Sequence, residues 1–177
     1  MKQRLIVSFV LLFSLIFQTL PISAQTTMKF DRSRYAVNYK KFVLDNGLTL
    51  LVHEDHSVPI VAVNMWYHVG SRNEKRGRTG FAHMFEHMMF KSTKNMQSEK
   101  FDRLTEDVGG FNNASTAEDW TNYYEVVPSN HLETLLWAES ERMQNLNVDE
   151  ANFASEREVV KEEYRQGVLA QPYGRLF

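Results

Sequence analysis

Two histidines four residues apart, His83 and His87, with Glu86 directly before the second, form the most chemically suggestive group in the chain. On an α-helix, positions i and i+4 project from one face, so the two imidazoles can grip one metal ion. Glu86 lies three residues after His83, and its carboxylate can reach a water on that ion. The plainer reading of the same residues is an amphipathic helix that happens to carry two histidines.

A second group lies further along. Glu156, Val160 and Glu163 stand at i, i+4 and i+7 and share a helix face, with Phe153 and Tyr164 flanking the stripe. That places two carboxylates on the side expected to be buried, where an unpartnered carboxylate is costly. A metal, or a histidine held by one, would compensate it. A solvated, glutamate-rich helix is the other reading. Against it stand the like-charge i,i+4 pairs Arg157/Lys161, Glu158/Glu162 and Lys161/Arg165.

The rest of the chain bounds what these groups can be. Its 177 residues, 43% of them hydrophobic, suit one ordinary domain with a core. A formal net charge of −2 offers no electrostatic case for nucleic-acid binding. With no cysteine, disulfides, thiolate catalysis, a lipoprotein anchor and Cys-ligated zinc are excluded. A metal site must therefore be built from histidines and carboxylates. Lys2 and Arg4 precede an apolar run from Leu5 to Phe17, and Pro21-Ile22-Ser23-Ala24 offers a cleavage point before Gln25. Residues 1–24 read as a signal peptide and 25–40 as an N-terminal extension. The expected product is exported, to the periplasm or secreted, with no stable membrane anchor once the signal is cleaved. The apolar run is short for a bilayer span, and an uncleaved anchor is the alternative.

The elements that must position the two groups can be read in outline. Phe42–Leu44 and Leu48–His53 flank Asp45-Asn46-Gly47, the strongest short hairpin signal. Ile60–Val69 fits a central strand, and Gly70–Gly80 a solvated charged loop. The motif helix is expected over Gly80–Phe90 with Thr79 as its N-cap, and another over Ser98–Val108 capped by Ser98. Strands follow at Phe111–Thr116 and Tyr123–Val127, then a helix from Pro128-Ser129 to Asn145. Asp149 should cap the last helix, running to Gln166. Met84, Met88 and Met89, with Phe85 and Phe90, read as the motif helix's packing face. Trp66, Trp120 and Trp137 read as core or sheet-packing aromatics. His53, His56, His68 and His131 have no metal spacing and read as surface or strand residues. The fold class is α+β, an antiparallel or mixed sheet with helices packed on it.

The order His83-Met84-Phe85-Glu86-His87, a long gap, then Glu156-Arg-Glu-Val-Val-Lys-Glu-Glu163 resembles the inverzincin zinc peptidases. The family is that of pitrilysin, insulin-degrading enzyme and mitochondrial processing peptidase. Asp45-Asn46-Gly47-Leu48, Pro59, Gly70–Glu74, Gly80–His83, Gly109–Thr116, Asp119 and Tyr123-Tyr124 extend the likeness to the family's N-terminal catalytic domain, here 41–177. The resemblance implies a third zinc ligand about seventy-five residues after the second histidine. Glu163 follows His87 by 76 residues; Glu162 falls one short and off the stripe. It also implies that Glu156, seven residues earlier, supports the ligands from behind.

The resemblance implies one Zn2+ per chain, held by His83, His87 and Glu163 with a fourth position open for water, although manganese or cobalt would suit the same donors. Glu86 would be the general base of a metalloendopeptidase. The family's peptide substrate adds as a strand at the sheet edge after the paired glycines, where Asn113 and Ala114 stand. Turn chemistry after Gly109-Gly110 is the other reading of Asn112-Asn113. Complete family members add a related second domain that encloses the peptide. This chain therefore looks like a truncated N-terminal part or one piece of a split enzyme, expected to bind zinc but to cleave peptides poorly or not at all alone. A non-catalytic subunit would usually have lost a ligand or the base, and a metal carrier would not need Glu86.

Overall fold

The computed structural model describes Ser33 and residues 36–175. The expected signal segment and most of the 25–40 extension lie outside them. The chain divides between Glu54 and Asp55 into two units.

In the first, β1 (Lys40–Val43) pairs antiparallel with β2 (Thr49–Val52), Lys40 opposite Val52 and Val43 opposite Thr49. The turn follows from its residues. Gly47 takes φ +86°, a left-handed conformation open to glycine, and Asn46 Oδ1 accepts from the Leu48 N–H at 3.0 Å.

The second unit holds β3 (Ile60–Tyr67), α1 (Phe81–Met88), α2 (Lys100–Glu106), β4 (Phe111–Thr116), β5 (Thr121–Pro128), α3 (Leu132–Gln144) and α4 (Glu150–Tyr164). The sheet is antiparallel throughout, in the order β3-β5-β4. Tyr123 and Val127 on β5 are buried, as are Met96, Phe101, Leu135 and Ala138. The core forms where Val127 meets Phe101, Leu135 and Ala138, with Val61, Val63 and Leu104 packed around it.

Several local expectations are corrected. β3 is not central: among the described strands it is an edge, and β5 lies in the middle. A β-branched, aromatic run reports a half-buried pleated surface, not a place in the sheet; β3 alternates between exposed and half-buried residues. Trp66 is 59% exposed and Trp137, on α3, 46%, so neither is core; Trp66 instead packs on Trp120 over the sheet, with ring centroids 4.8 Å apart, which is the sheet-packing alternative. Phe85 also leaves the packing face, at 48% exposed, while Met84 and Met88 stay buried. Ser98 does not cap α2; Glu99 takes the N-cap place with φ 62° and no side-chain bond.

Behind the sheet lies a buried charge cluster. Arg142 donates to Glu125 at 2.7 Å and to Glu139 at 2.9 Å, and its guanidinium stacks over Phe101 (4.2 Å) and Tyr123 (4.5 Å). It ties α3 to β5. No described helix is long and apolar enough to cross a membrane.

Candidate active site

The geometry begins with how α1 starts. Gly80 takes φ +96°, and no side-chain bond comes from the N-cap position. Instead Glu74 reaches back from the preceding loop: Oε2 accepts from the Gly80 N–H and Oε1 from the Ala82 N–H, both at 2.8 Å. A carboxylate at this end satisfies free N–H groups and suits the positive end of the helix dipole. Thr79 is therefore not the cap. α4 starts as its sequence suggests, with Asp149 Oδ1 accepting from the Asn152 N–H at 2.8 Å. Its like-charge neighbours are relieved by Lys161–Glu158 and Arg165–Glu162 pairs at i,i+3, so they do not argue against a solvated outer face.

α1 and α4 bring three donor atoms together. His83 Nε2 and His87 Nε2 are 3.2 Å apart, and Glu163 Oε2 lies 3.5 Å from the first and 3.3 Å from the second. They are the only such His, Asp or Glu cluster among the described residues. Donors about 2.05 Å from a tetrahedral zinc stand about 3.3 Å from one another, so the triangle has the dimensions that ion requires. Three lone-pair donors this close also need a shared cation or proton between them. The donor set fits zinc. Glu156 and Glu163 do not share the burial expected of them: Glu156 is 6% exposed, whereas the Glu163 side chain is 50% exposed. Glu163 faces an open cavity of about 580 Å³, lined by Gly80, His83, Val160 and Tyr164 among others.

The imidazole of His87 lies between two glutamates of α4. Nε2 faces Glu163, and Nδ1 faces Glu156 Oε2 at 3.3 Å. Glutamates seven residues apart are about 10.5 Å apart along a helix axis, room for an imidazole between their carboxylates. A carboxylate at Nδ1 fixes the ring with its N–H on that side and leaves the Nε2 lone pair free for a metal. Glu156 Oε1 is in turn held by Lys91 Nζ at 2.6 Å.

Glu86 stands apart from the donor triangle. Its Oε2 accepts a short hydrogen bond from Thr116 Oγ1, at the end of β4. It opens, with His83, onto a cavity of about 500 Å³ walled by Ser71 and residues 115–118. Beneath it, burial pushes the Tyr123 phenol up, opposed by Arg142 and reinforced by the Glu86 charge.

Asn113 and Ala114 lie on β4, at the other edge of the sheet among the described strands. Their place in a strand removes the turn reading. The Ala117 N–H to Trp120 carbonyl bond (2.9 Å) closes the β4–β5 hairpin and sets the ladder's phase. Counting back, Ala114 is a non-bonded partner of Tyr123, so its N–H and C=O face the free edge. Asn113 Oδ1 covers that N–H at 2.8 Å.

Sequence reasoning assigned no role to Lys91, nor to Thr116 and Glu74 beyond their place in the family likeness. Lys91 continues the four-residue spacing of His83 and His87, a signal that could have found it; Thr116 and Glu74 act through space and leave no such pattern.

Known proteins resemble this chain over most of its length. The zinc protease PqqE of Helicobacter pylori is 39% identical over 144 residues, 81% of this chain. A crystal structure of a protease from Helicobacter pylori superposes with a TM-score of 0.77 at 38% identity, covering 80% of this chain and 34% of that one. Pitrilysin gives 0.69 at 26% identity, over 74% of this chain and 14% of that one. The chain thus spans about a third of the length of the Helicobacter zinc protease, at 32%. Residues 49–172 match the family described as Insulinase (Peptidase family M16), and the chain belongs to that family.

Proposed function

We propose that this chain carries the metal-binding part of a zinc-dependent endopeptidase acting on extended peptides or small proteins. The observation that carries the reading is the His83–His87–Glu163 triangle, with edges of 3.2–3.5 Å, beside a glutamate that is not part of it. The name of the Helicobacter relative supports zinc as the metal.

His83, His87 and Glu163 would hold one zinc ion. When bound, zinc polarises the scissile carbonyl and lowers the pKa of its water to about 7. Glu86 takes a proton from the attacking water and hands it to the departing amine. Thr116 holds one Glu86 oxygen, leaving the other for that proton. Glu156 keeps His87 in the tautomer that presents Nε2. The outward N–H and C=O of Ala114 would pair with the peptide backbone once Asn113 releases the N–H. Backbone pairing binds extended peptides with little regard to sequence.

On this reading a related second domain or subunit closes over the peptide, so the chain by itself binds zinc and cleaves peptides poorly or not at all. Export to the periplasm or beyond is proposed from the basic and apolar N-terminal residues. The test is Glu86→Gln in the complete enzyme: peptide cleavage disappears while one zinc per chain remains. Cleavage that survives the substitution would overturn the assignment.

A further inference from the structure

We propose that Lys91 is a positioning residue for the metal site, setting the direction of His87 through Glu156. The inference rests on the reading in which His83, His87 and Glu163 hold zinc.

Lys91 lies just past the end of α1, where its N–H bonds the Met88 carbonyl at 3.0 Å. The four-residue spacing from His83 through His87 brings it to the α4 side of the structure. There its ammonium meets Glu156 Oε1 at 2.6 Å. The other oxygen of the same carboxylate meets His87 Nδ1 at 3.3 Å. Each carboxylate oxygen thus has a cation or ring partner, and the only other hydrogen bond to it among the described residues comes from Ser155 Oγ, at 3.4 Å from Oε1. The three side chains are 21%, 9% and 16% exposed in the order Lys91, Glu156, His87, so solvent offers little competition for these bonds.

A glutamate has three side-chain torsions, and a single contact with one imidazole nitrogen does not fix them. The Lys91 bond does. It pins Oε1, so that Oε2 can point only toward Nδ1 and the ring keeps Nε2 turned to the other two donors. Lys91 also supplies the positive charge that a buried carboxylate needs when its second neighbour is a neutral ring. Among the described residues the lysine ammonium pairs with Glu156 and with none of the three metal donors, so it acts on the site through Glu156.

The test is zinc affinity, measured on the purified chain by competition with a chromogenic chelator at one neutral pH. The variants are Lys91→Met, Lys91→Arg, Glu156→Gln and Lys91→Met with Glu156→Gln. Thermal unfolding of the zinc-free proteins runs alongside, and Lys91→Gln replaces Lys91→Met should the latter fail to fold. Loss of a partner behind a metal-bound histidine typically weakens binding by about ten- to a hundredfold, and about tenfold is expected for Lys91→Met. Lys91→Arg should stay near the parent, and Lys91→Met should add nothing to Glu156→Gln. Affinity unchanged in Lys91→Met overturns the proposal. So does equal weakening by Met and Arg, or full additivity with Glu156→Gln, each of which marks a packing role. A parent that binds no zinc, or a His83→Ala variant that binds it as well as the parent, overturns the metal reading itself, and the role of Lys91 falls with it.

Discussion

Glu125 and Glu139 face one buried guanidinium, that of Arg142, so the cluster holds two carboxyl groups and a single cation. Burial, and then the neighbouring Glu139, push the Glu125 carboxyl up from 4.5 to about 8, while Arg142 pulls the other way. The folded chain therefore keeps a proton that the unfolded chain releases. The stability this contributes is fully present below about 4.5 and is lost as pH rises through about 8. At a full one-proton difference the slope is about 1.4 kcal/mol per pH unit, so this group alone removes on the order of 2 kcal/mol between about pH 5 and 7. Glu125→Gln keeps an acceptor for Arg142 and a donor for Glu139 but cannot titrate. Urea unfolding of both proteins across that range should show the variant gaining on the parent by on the order of 2 kcal/mol as pH rises. Titrating groups outside the Glu125–Glu139–Arg142 cluster, common to both proteins, cancel in the difference. Two stability curves that run parallel would refute the reasoning and mean that Glu125 is ionised in the fold.

Other consequences follow from single contacts. Thr116→Val removes the bond that holds Glu86, and kcat of the complete enzyme should fall about tenfold with zinc content unchanged, while Thr116→Ser retains most activity. Ala114→Pro deletes an N–H that faces the free edge rather than β5; peptide KM should rise about tenfold, the worth of one hydrogen bond, with zinc affinity unaltered. A Cβ on Gly70 would stand 2.4 Å from the Ala117 carbonyl oxygen, in the wall of the Glu86 cavity. Gly70→Ala should therefore lower stability by about 2 kcal/mol, read by urea denaturation.

Local periodicity made part of this site legible and long-range contact hid the rest. His83 and His87 could be paired from their spacing because the helix repeat fixes which residues share a face. The amphipathic stripe put Glu156 and Glu163 together, but periodicity could not say that one is buried and the other half exposed. Which side of α4 is covered at each turn depends on α1 crossing it, which no local pattern records. Resemblance to a peptidase family, not spacing, singled out Glu163 as a candidate donor. Glu74 caps α1 from six residues away because the loop after β3 doubles back, a displacement that hid it behind the adjacent Thr79. Thr116 meets Glu86 across thirty residues of chain, through the packing of β4 on α1. The exposure of Trp66, Trp137 and Phe85 was likewise unreadable, since side-chain hydrophobicity says what could be buried and not what the neighbouring elements cover.

Whether His83, His87 and Glu163 form one zinc site is read from metal stoichiometry. The purified chain and its Glu163→Ala variant would be equilibrated with a small excess of zinc, freed of unbound metal and analysed for zinc per chain. The parent should hold close to one zinc and the variant far less, because two histidines alone leave the triangle open on the α4 side. Zinc retained in full by Glu163→Ala, or absent from both proteins, would contradict such a site.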